Sequence, residues 1–144
     1  MEIQPYRPED REALIALWQE CKLTRPWNDP QLDIQRKLAE QPDLLLVGRQ
    51  DGRVVASVMV GYDGHRGWIN YLAVAGDCRR KGLGRAMMAE AERLLAQRGC
   101  PKVNLQVRAS NHDVIDFYRR IGYSPDEVVS MGKRLVDDSE GPAE

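Results

Sequence analysis

The sequence contains few residues of the kinds that bind transition metals. Among its 144 residues are three cysteines and two histidines, and none of them has the spacing of zinc ligands. Cys21, Cys78 and Cys100 are scattered and odd in number, which argues against a disulfide framework. We therefore expect a protein without a metal site, whose free thiols suit the reducing cytoplasm.

Long apolar runs and an excess of charge of one sign are also missing. The apolar stretch 44–47 is far shorter than the roughly 20 residues that cross a bilayer, and residues 1–7 lack the pattern of a secretion signal. A net charge of −1 gives no general attraction for nucleic acid or an anionic membrane. We expect a cytoplasmic protein that binds neither, with one domain over 1–136 and a disordered acidic tail over 137–144.

Hydrophobic periodicity predicts alternating strands and helices. The predicted strands are 3–6, 44–50, 53–62, 68–74, 103–107, 123–127 and 129–135. The predicted helices are 8–22, 30–40, 82–98 and 110–121. The pair Asp51-Gly52 indicates a hairpin, and a helix between the fourth and fifth strands indicates a parallel crossover. We therefore predict an α/β (α+β) fold with a mixed, mostly antiparallel seven-stranded sheet flanked by four helices.

A basic segment with two glycines lies where the fourth strand leads into the long helix. Its residues are Arg79, Arg80, Lys81, Gly82, Leu83, Gly84 and Arg85. Free amides at a helix N-terminus attract anions, and glycine lets backbone approach a phosphate closely. The segment is either a pyrophosphate site or a solvated basic turn. A dinucleotide site fits poorly because Met87 replaces the required small residue, and no Gly-Lys-Ser/Thr sequence is present for ATP.

Two motifs at the correct separation carry a resemblance to a known family. Arg79-x-x-Gly82-x-Gly84 follows Tyr71-Leu-Ala-Val74. Leu105-Gln-Val-Arg-Ala-Ser-Asn111 precedes Phe117-Tyr118 and Ile121-Gly122-Tyr123. With the predicted element order, these motifs resemble the GNAT superfamily of acetyltransferases. The second motif is similar to that of bacterial enzymes that acetylate the N-terminus of a ribosomal protein. The resemblance spans about residues 2–136 and implies transfer of the acetyl group of acetyl-CoA to an amine.

The resemblance also assigns roles to individual residues. The backbone of Leu72, Ala73 and Val74 would bind the pantetheine arm of the cofactor, and the amides of 80–85 would hold its pyrophosphate. Asn111 would contact the cofactor, and Tyr118 would act as the general acid. A core position for Tyr118 and a helix-capping role for Asn111 are the alternatives that the residues themselves leave open.

Gln106 departs from the resemblance, which implies a glutamate base at this position. Because glutamine cannot accept the proton, water, another carboxylate or an already neutral amine must replace the base. An α-amino group with a pKa of ~7.7–8.0 is partly neutral at pH 7, whereas a lysine with a pKa of ~10.4 is not. No general base is assigned.

The resemblance places the acceptor amine among the loops 24–30, 62–67 and 124–133. Candidate contacts there are Arg25, Trp27, Asn28, Asp29 and Asp63, with His65 as a further proton acceptor. Packing by Trp27, helix capping by Asp29 and a turn role for Asp63 are equally good explanations. The sequence does not show whether the acceptor is a protein N-terminus, a lysine, a polyamine or a small metabolite.

Three functions are compatible with the motifs to different degrees. An amine N-acetyltransferase explains both the basic segment and Tyr118, whereas a non-catalytic acyl-CoA-binding module needs only the former. A nucleotide-binding domain is disfavoured by Met87 and by the element order. An edge strand near the C-terminus also makes a homodimer a candidate assembly.

Overall fold

Five strands form one sheet in a computed structural model that describes residues 1–140. They are β1 (Glu2–Pro5), β2 (Leu45–Gln50), β3 (Arg53–Tyr62), β4 (Gly67–Val74) and β5 (Val103–Leu105). The helices are α1 (Arg11–Glu20), α2 (Pro30–Glu40), α3 (Leu83–Gln97) and α4 (His112–Arg120). Strands β1 to β4 pair antiparallel in chain order, and β5 pairs parallel to β4 after the α3 crossover. This confirms the predicted mixed sheet with four helices.

Alternation of side chains along β2 divides the core into two layers. Leu45 and Val47 pack with Leu14 and Trp18 of α1, whereas Leu46 packs on the opposite face with Met87 of α3. Because successive strand residues point to opposite faces, an apolar run such as 44–47 can fill both layers. The sheet therefore lies between α1 and α2 on one side and α3 and α4 on the other.

The prediction of seven strands was wrong. Residues 123–127 and 129–135 form no strand, and within residues 1–140 the sheet ends at the three-residue β5. The sequence there has suitable β-forming residues, but a strand also requires a hydrogen-bonding neighbour. No segment in the described part of the chain supplies that neighbour. Residues 124–136, called the C-terminal arm below, are irregular and largely exposed.

The described part of the predicted disordered tail is docked. Asp138 lies in a short 3-10 turn, Asp138–Glu140, accepts a 2.7 Å hydrogen bond from the Asp29 amide and pairs with Arg36 at 2.6 Å. A helix N-terminus with a neighbouring guanidinium favours a carboxylate, which explains these contacts of Asp138. Residues 141–144 of the predicted tail lie outside the described residues, and the domain boundary at 136 stays a prediction.

No helix among residues 1–140 combines the length and the apolar character needed to cross a bilayer. The same residues contain no group of three or more histidine, cysteine, aspartate or glutamate side chains arranged to hold a metal ion.

Candidate active site

Strand β4 extends beyond the end of its neighbour β5. Their parallel pairing joins Gly67–Ile69 to Val103–Leu105 and stops there. Beyond Ile69, the edge of β4 that faced β5 has no strand partner in the described part of the chain. An open strand edge offers backbone N–H and C=O groups to an extended ligand. Leu72, Ala73 and Val74, the predicted cofactor-binding strand residues, all lie on this open section.

A bulge at Tyr71 interrupts the β3–β4 ladder directly before Leu72. Tyr71 has a φ of +52°, a left-handed conformation that is strained for a residue other than glycine. Its carbonyl accepts a 2.9 Å hydrogen bond from the buried Ser57 hydroxyl, which accepts one of 2.9 Å from the Trp18 indole. The Trp18 and Tyr71 rings stack with centroids 3.8 Å apart. Packing and hydrogen bonding thus hold the strained peptide in place.

The Tyr71 hydroxyl joins this bulge to α2. It donates a 2.6 Å hydrogen bond to Asp33 Oδ2, which also accepts one of 2.9 Å from Asn28. Burial and the neighbouring Asp33 carboxylate raise the pKa of Tyr71, so the phenol stays neutral. We did not identify Trp18, Tyr71 or Asp33 as site residues from the sequence. The position of Tyr71 directly before Leu-Ala-Val was the available signal.

The N-terminus of α3 is open to an anion. Gly82 is the N-cap with a φ of +76°, preceded by Arg80 with a φ of +64°. No side chain caps the helix, and its first turn has no acidic residue. A Cβ atom at Gly82 would have no heavy atom within 4 Å apart from its chain neighbours, so the space beside the backbone is open. First-turn amides of a helix bind phosphate well in such a setting, and the segment fits the predicted cradle.

The cations around this cradle differ in their contacts. Arg79 points back, with Nε 3.4 Å from the Val74 carbonyl. Arg85 points toward the end of α4, with Nη2 3.4 Å from the Arg120 carbonyl. Arg80 and Lys81 are exposed and form no ion pair among residues 1–140. They are therefore the two cations most available to a bound phosphate.

These two cations predict a salt-dependent affinity for coenzyme A. The affinity should fall with added sodium chloride, and replacing Arg80 and Lys81 with alanine should lower it about 2–5-fold per residue at low salt. Isothermal titration calorimetry at several salt concentrations measures both effects. Arg93→Ala is the control, because Arg93 also lies on α3 but pairs with Glu90 away from the cradle. A wild-type affinity that does not depend on salt and is the same in the double variant would assign the segment to a solvated turn.

Gly84 and Leu83 contribute through packing. A Cβ atom at Gly84 would lie 3.3 Å from Phe117 Cζ and 3.7 Å from Val74 Cγ2. Gly84 therefore allows α3, α4 and β4 to approach one another closely, a role that differs from the predicted contact with phosphate. The Leu83 side chain is buried in the core, which leaves only its backbone for the cradle.

Tyr118 lies on α4 at the edge of this junction. The residue is 8% exposed, and its ring meets the rings of Phe117 and Tyr123 edge-on, with centroids 5.1 and 5.6 Å away. Burial raises the pKa of Tyr118 to about 12, so its hydroxyl keeps its proton throughout the physiological range. Tyr118 thus has both a core position and a protonated hydroxyl.

Asn111 caps α4. Its side-chain oxygen accepts a 3.4 Å hydrogen bond from the Val114 amide. The helix was predicted to include Asn111, which would place it on one helix face with Tyr118; it begins instead at His112. This capping role is compatible with a cofactor contact through the remaining side-chain amide nitrogen.

The loop between α1 and α2 has most of its polar groups in internal contacts. Arg25 donates hydrogen bonds to the carbonyls of Lys22 and Thr24. Asp29 accepts a hydrogen bond from the Gln31 amide and caps α2. Helix capping was the alternative role that the sequence predicted for it. The exposed ring of Trp27 lies 5.8 Å from the guanidinium of Arg134 at the end of the C-terminal arm. The structure brings Arg25, Trp27, Asn28 and Asp29 together in one loop.

Asp63 belongs to a different segment of the chain. It closes the turn before β4, accepting hydrogen bonds of 2.8 and 2.7 Å from the amides of His65 and Arg66. These backbone donors lower the pKa of Asp63. Since this turn precedes Gly67, whereas the cradle follows Val74, Asp63 and the cradle are at opposite ends of β4. A turn role for Asp63, the alternative given from the sequence, explains all of these hydrogen bonds.

A groove of about 860 Å³ lies between β5, α4 and the C-terminal arm. Its lining includes Gln106, Tyr118, Val129 and Ser130. The Gln106 amide nitrogen contacts the Ser130 hydroxyl across it. None of the cradle residues 79–85 lines this groove, which gives a second molecule a separate path to Tyr118.

Comparison with known proteins agrees with this geometry. A sequence model of the acetyltransferase (GNAT) family matches residues 11–123. An acetyltransferase from Pectobacterium atrosepticum is 49% identical over 140 residues, covering 97% of this chain and 99% of that protein. The crystal structure of Ard1 from Thermoplasma volcanium has a TM-score of 0.77 at 28% identity, covering 85% of this chain and 82% of that one. Naa20 from Chaetomium thermophilum, solved with a bisubstrate analogue, has a TM-score of 0.69 at 26% identity, covering 86% and 71%. The chain belongs to the GNAT family of acetyltransferases, which use acetyl-CoA.

Proposed function

We propose that this protein transfers the acetyl group of acetyl-CoA to a primary amine by direct attack on the thioester. The observation that carries the proposal is the arrangement around β4. An uncapped helix N-terminus with two unpaired cations follows the open strand edge, and the buried, protonated Tyr118 lies on the neighbouring α4. This arrangement suits a long, phosphate-bearing thioester bound along β4 with its pyrophosphate at α3.

The reaction needs charge stabilisation at two atoms. The amine nitrogen forms a bond to the thioester carbon, and the carbonyl electrons move to its oxygen. The backbone at Leu72, directly after the strained Tyr71, is our candidate donor to that oxyanion. When the carbonyl re-forms, the C–S bond breaks and its electron pair leaves with sulfur. The product is an amide, and the proton that the amine nitrogen loses passes to solvent.

Tyr118 would stabilise the departing thiolate. A thiol has an ordinary pKa of ~8.5, well below the value of about 12 for Tyr118. Complete proton transfer from Tyr118 is therefore uphill, and its main contribution is a hydrogen bond to the developing thiolate. Solvent can then supply the proton that yields coenzyme A.

The acceptor amine would arrive neutral. Gln106 cannot accept its proton, and the carboxylates of Asp29 and Asp63 are engaged by backbone amides. An amine with a low pKa reacts without a dedicated base, which favours a protein N-terminus or a weakly basic small amine over lysine. The groove between β5, α4 and the C-terminal arm is where we place this acceptor.

A pH–rate profile with a panel of amines tests this proposal. For a peptide N-terminus, kcat/KM should rise with pH and level off above a pKa of ~7.7–8.0, that of the amine itself. Tyr118 is active when protonated, and because its pKa is about 12 the rate should not fall again below about pH 10. Release of free coenzyme A, followed with a thiol reagent, measures the rate. Binding of acetyl-CoA without turnover of any amine would leave an acyl-CoA-binding module instead.

A further inference from the structure

Three hydrogen-bond donors from different parts of the fold converge on the Asp33 carboxylate of α2. Its Oδ2 accepts from the Tyr71 hydroxyl at 2.6 Å and from Asn28 Nδ2 at 2.9 Å, and its Oδ1 accepts from Arg36 Nη1 at 3.1 Å. The Asp33 side chain is only 16% exposed. Because an ionised carboxylate has about four acceptor sites, Asp33 can hold all three groups at once.

Arg36 and Asn28 extend this arrangement toward the end of the described chain. The Arg36 guanidinium also binds both carboxylate oxygens of Asp138, at 2.6 and 3.1 Å, and the Asp138 side chain is 2% exposed. Asn28 Oδ1 accepts a 2.9 Å hydrogen bond from Arg134. With a carboxylate on one side and a guanidinium on the other, only one orientation of the Asn28 amide satisfies both neighbours. Two routes therefore connect Asp33 with Arg134 and Asp138.

The peptide at Tyr71 depends on its surroundings to keep its conformation. A non-glycine residue with a φ of +52° persists only where neighbouring contacts hold it there. Two of these contacts come from the core, the stacked ring of Trp18 and the hydroxyl of Ser57, and both residues are fully buried. A third contact, from the Tyr71 hydroxyl to Asp33, comes from α2. Through it, α2 acts on the backbone directly before Leu72.

We propose that Asp33 is a positioning residue for acetyl transfer and that the ion pair of Arg36 with Asp138 keeps it in place. Through the Tyr71 hydroxyl, Asp33 holds the peptide that leads into Leu72, our candidate donor to the oxyanion. Such a donor works only if it is already aimed at the reacting oxygen, and a displacement of about 1 Å can cost roughly 10²-fold in rate. This inference rests on the proposed function, because it assigns a role within that reaction.

The residues that share these contacts, called the Asp33 network below, are Asn28, Asp33, Arg36, Tyr71, Arg134 and Asp138. Within residues 1–140, the side chains of this network form no hydrogen bond to the cradle residues 79–85. Loss of a network contact should therefore lower kcat and leave the affinity for acetyl-CoA unchanged. A general loss of folded protein would instead lower the stoichiometry of binding, so the two effects can be separated.

A double-mutant cycle tests the link between Asp33 and Tyr71. Tyr71→Phe removes only the hydroxyl and keeps the ring on Trp18, and Asp33→Ala places a good helix former in α2. Each should lower kcat about 10–100-fold. The double variant should have the kcat of Asp33→Ala alone, because the hydroxyl then has no carboxylate to bind.

Steady-state release of coenzyme A measures kcat in this cycle. Calorimetric titration with acetyl-CoA gives the affinity and, from the stoichiometry, the folded fraction to which kcat is normalised. Additive losses in the double variant, or a wild-type kcat in Asp33→Ala, would overturn the positioning role.

Asp138→Ala tests the contribution of the chain end, with Asp137→Ala as the matched control. Asp137 is the adjacent residue, has the same charge and accepts its hydrogen bonds from Ser139 within the same turn. Asp138→Ala should lower kcat about 3–10-fold, less than Asp33→Ala because the second route remains. Asp137→Ala should leave kcat unchanged. In the Asp33→Ala background, Asp138→Ala should have no further effect, and a further loss there would contradict coupling through Asp33.

A measurement without turnover distinguishes this inference from the proposed reaction. In an amide correlation spectrum of isotope-labelled protein, the signals of Tyr71 and Leu72 should shift in Asp33→Ala and Asp138→Ala and stay in place in Asp137→Ala. Unmoved signals in Asp33→Ala would overturn the inference whatever the activity of the protein. If the signals move but the wild-type protein acetylates no amine, the proposed function fails and Asp33 is a structural residue. If the wild type turns over and kcat is the same in Asp33→Ala, only the positioning role fails.

Discussion

Replacing Tyr118 with phenylalanine is expected to lower kcat by about 10²–10³-fold, the usual scale for losing one hydrogen-bond donor to the charge that develops in the transition state. The affinity for acetyl-CoA should hardly change, because the ring that packs against Phe117 and Tyr123 is retained. Steady-state kinetics with a reactive amine and calorimetric titration of acetyl-CoA measure the two quantities. The separation of kcat from affinity distinguishes a catalytic hydroxyl from a packing residue.

Tyr123→Phe is the matched control for this experiment. Tyr123 is a neighbouring tyrosine whose hydroxyl is already engaged in a hydrogen bond to Glu92. Its loss should lower stability by about 1 kcal/mol and leave kcat within a few-fold of wild type. If both variants have wild-type kcat, Tyr118 is a packing residue and the leaving thiolate is stabilised elsewhere.

Gly82→Val is expected to weaken the binding of coenzyme A at least about tenfold. The left-handed conformation of Gly82, with a φ of +76°, costs a residue with a side chain roughly 1–2 kcal/mol, and more for a β-branched one. The chain can relieve this strain by moving the loop, and the first-turn amides of α3 then no longer converge on one phosphate. Calorimetric titration with coenzyme A measures the loss.

Gly99→Val separates this effect from general destabilisation. Gly99 follows the other end of α3 and also has a positive φ, +82°. A Cβ atom there would likewise meet no heavy atom within 4 Å apart from its chain neighbours. The two variants should lose similar thermal stability, while only Gly82→Val loses affinity. Equal affinities in the two folded variants would remove the α3 N-terminus as the phosphate site.

The sequence was most informative where local chemistry and tertiary structure agree. The Asp51-Gly52 turn and the apolar periods around it predicted β3 and, to within a residue, β2, because hairpins depend on nearby residues. The cap at Asp29 and the helix start at Pro30 were also predicted correctly, for the same reason. The open N-terminus of α3 at Gly82 was recognisable because a positive φ and a helix start both depend on a short stretch of chain; its binding of phosphate stays a prediction.

Features that depend on distant partners were not predictable in this way. The C-terminal arm has the composition of two strands, yet it forms no strand pairing within residues 1–140. Tyr71 became part of the site only through contacts with Trp18 and Asp33, which are 53 and 38 positions away in the sequence. Local periodicity contains no information about such contacts, and neither residue type suggests a left-handed bulge in a strand.

Mass spectrometry of a cell extract treated with the protein and isotope-labelled acetyl-CoA tests the central claim most directly. The account predicts labelled acetyl groups on amines, with formation of an equal amount of free coenzyme A, and a large loss of label with Tyr118→Phe. It further predicts that protein N-termini or weakly basic small amines carry the label in preference to lysine side chains. Tight binding of acetyl-CoA without any labelled amine would contradict the account and identify the chain as an acyl-CoA-binding module.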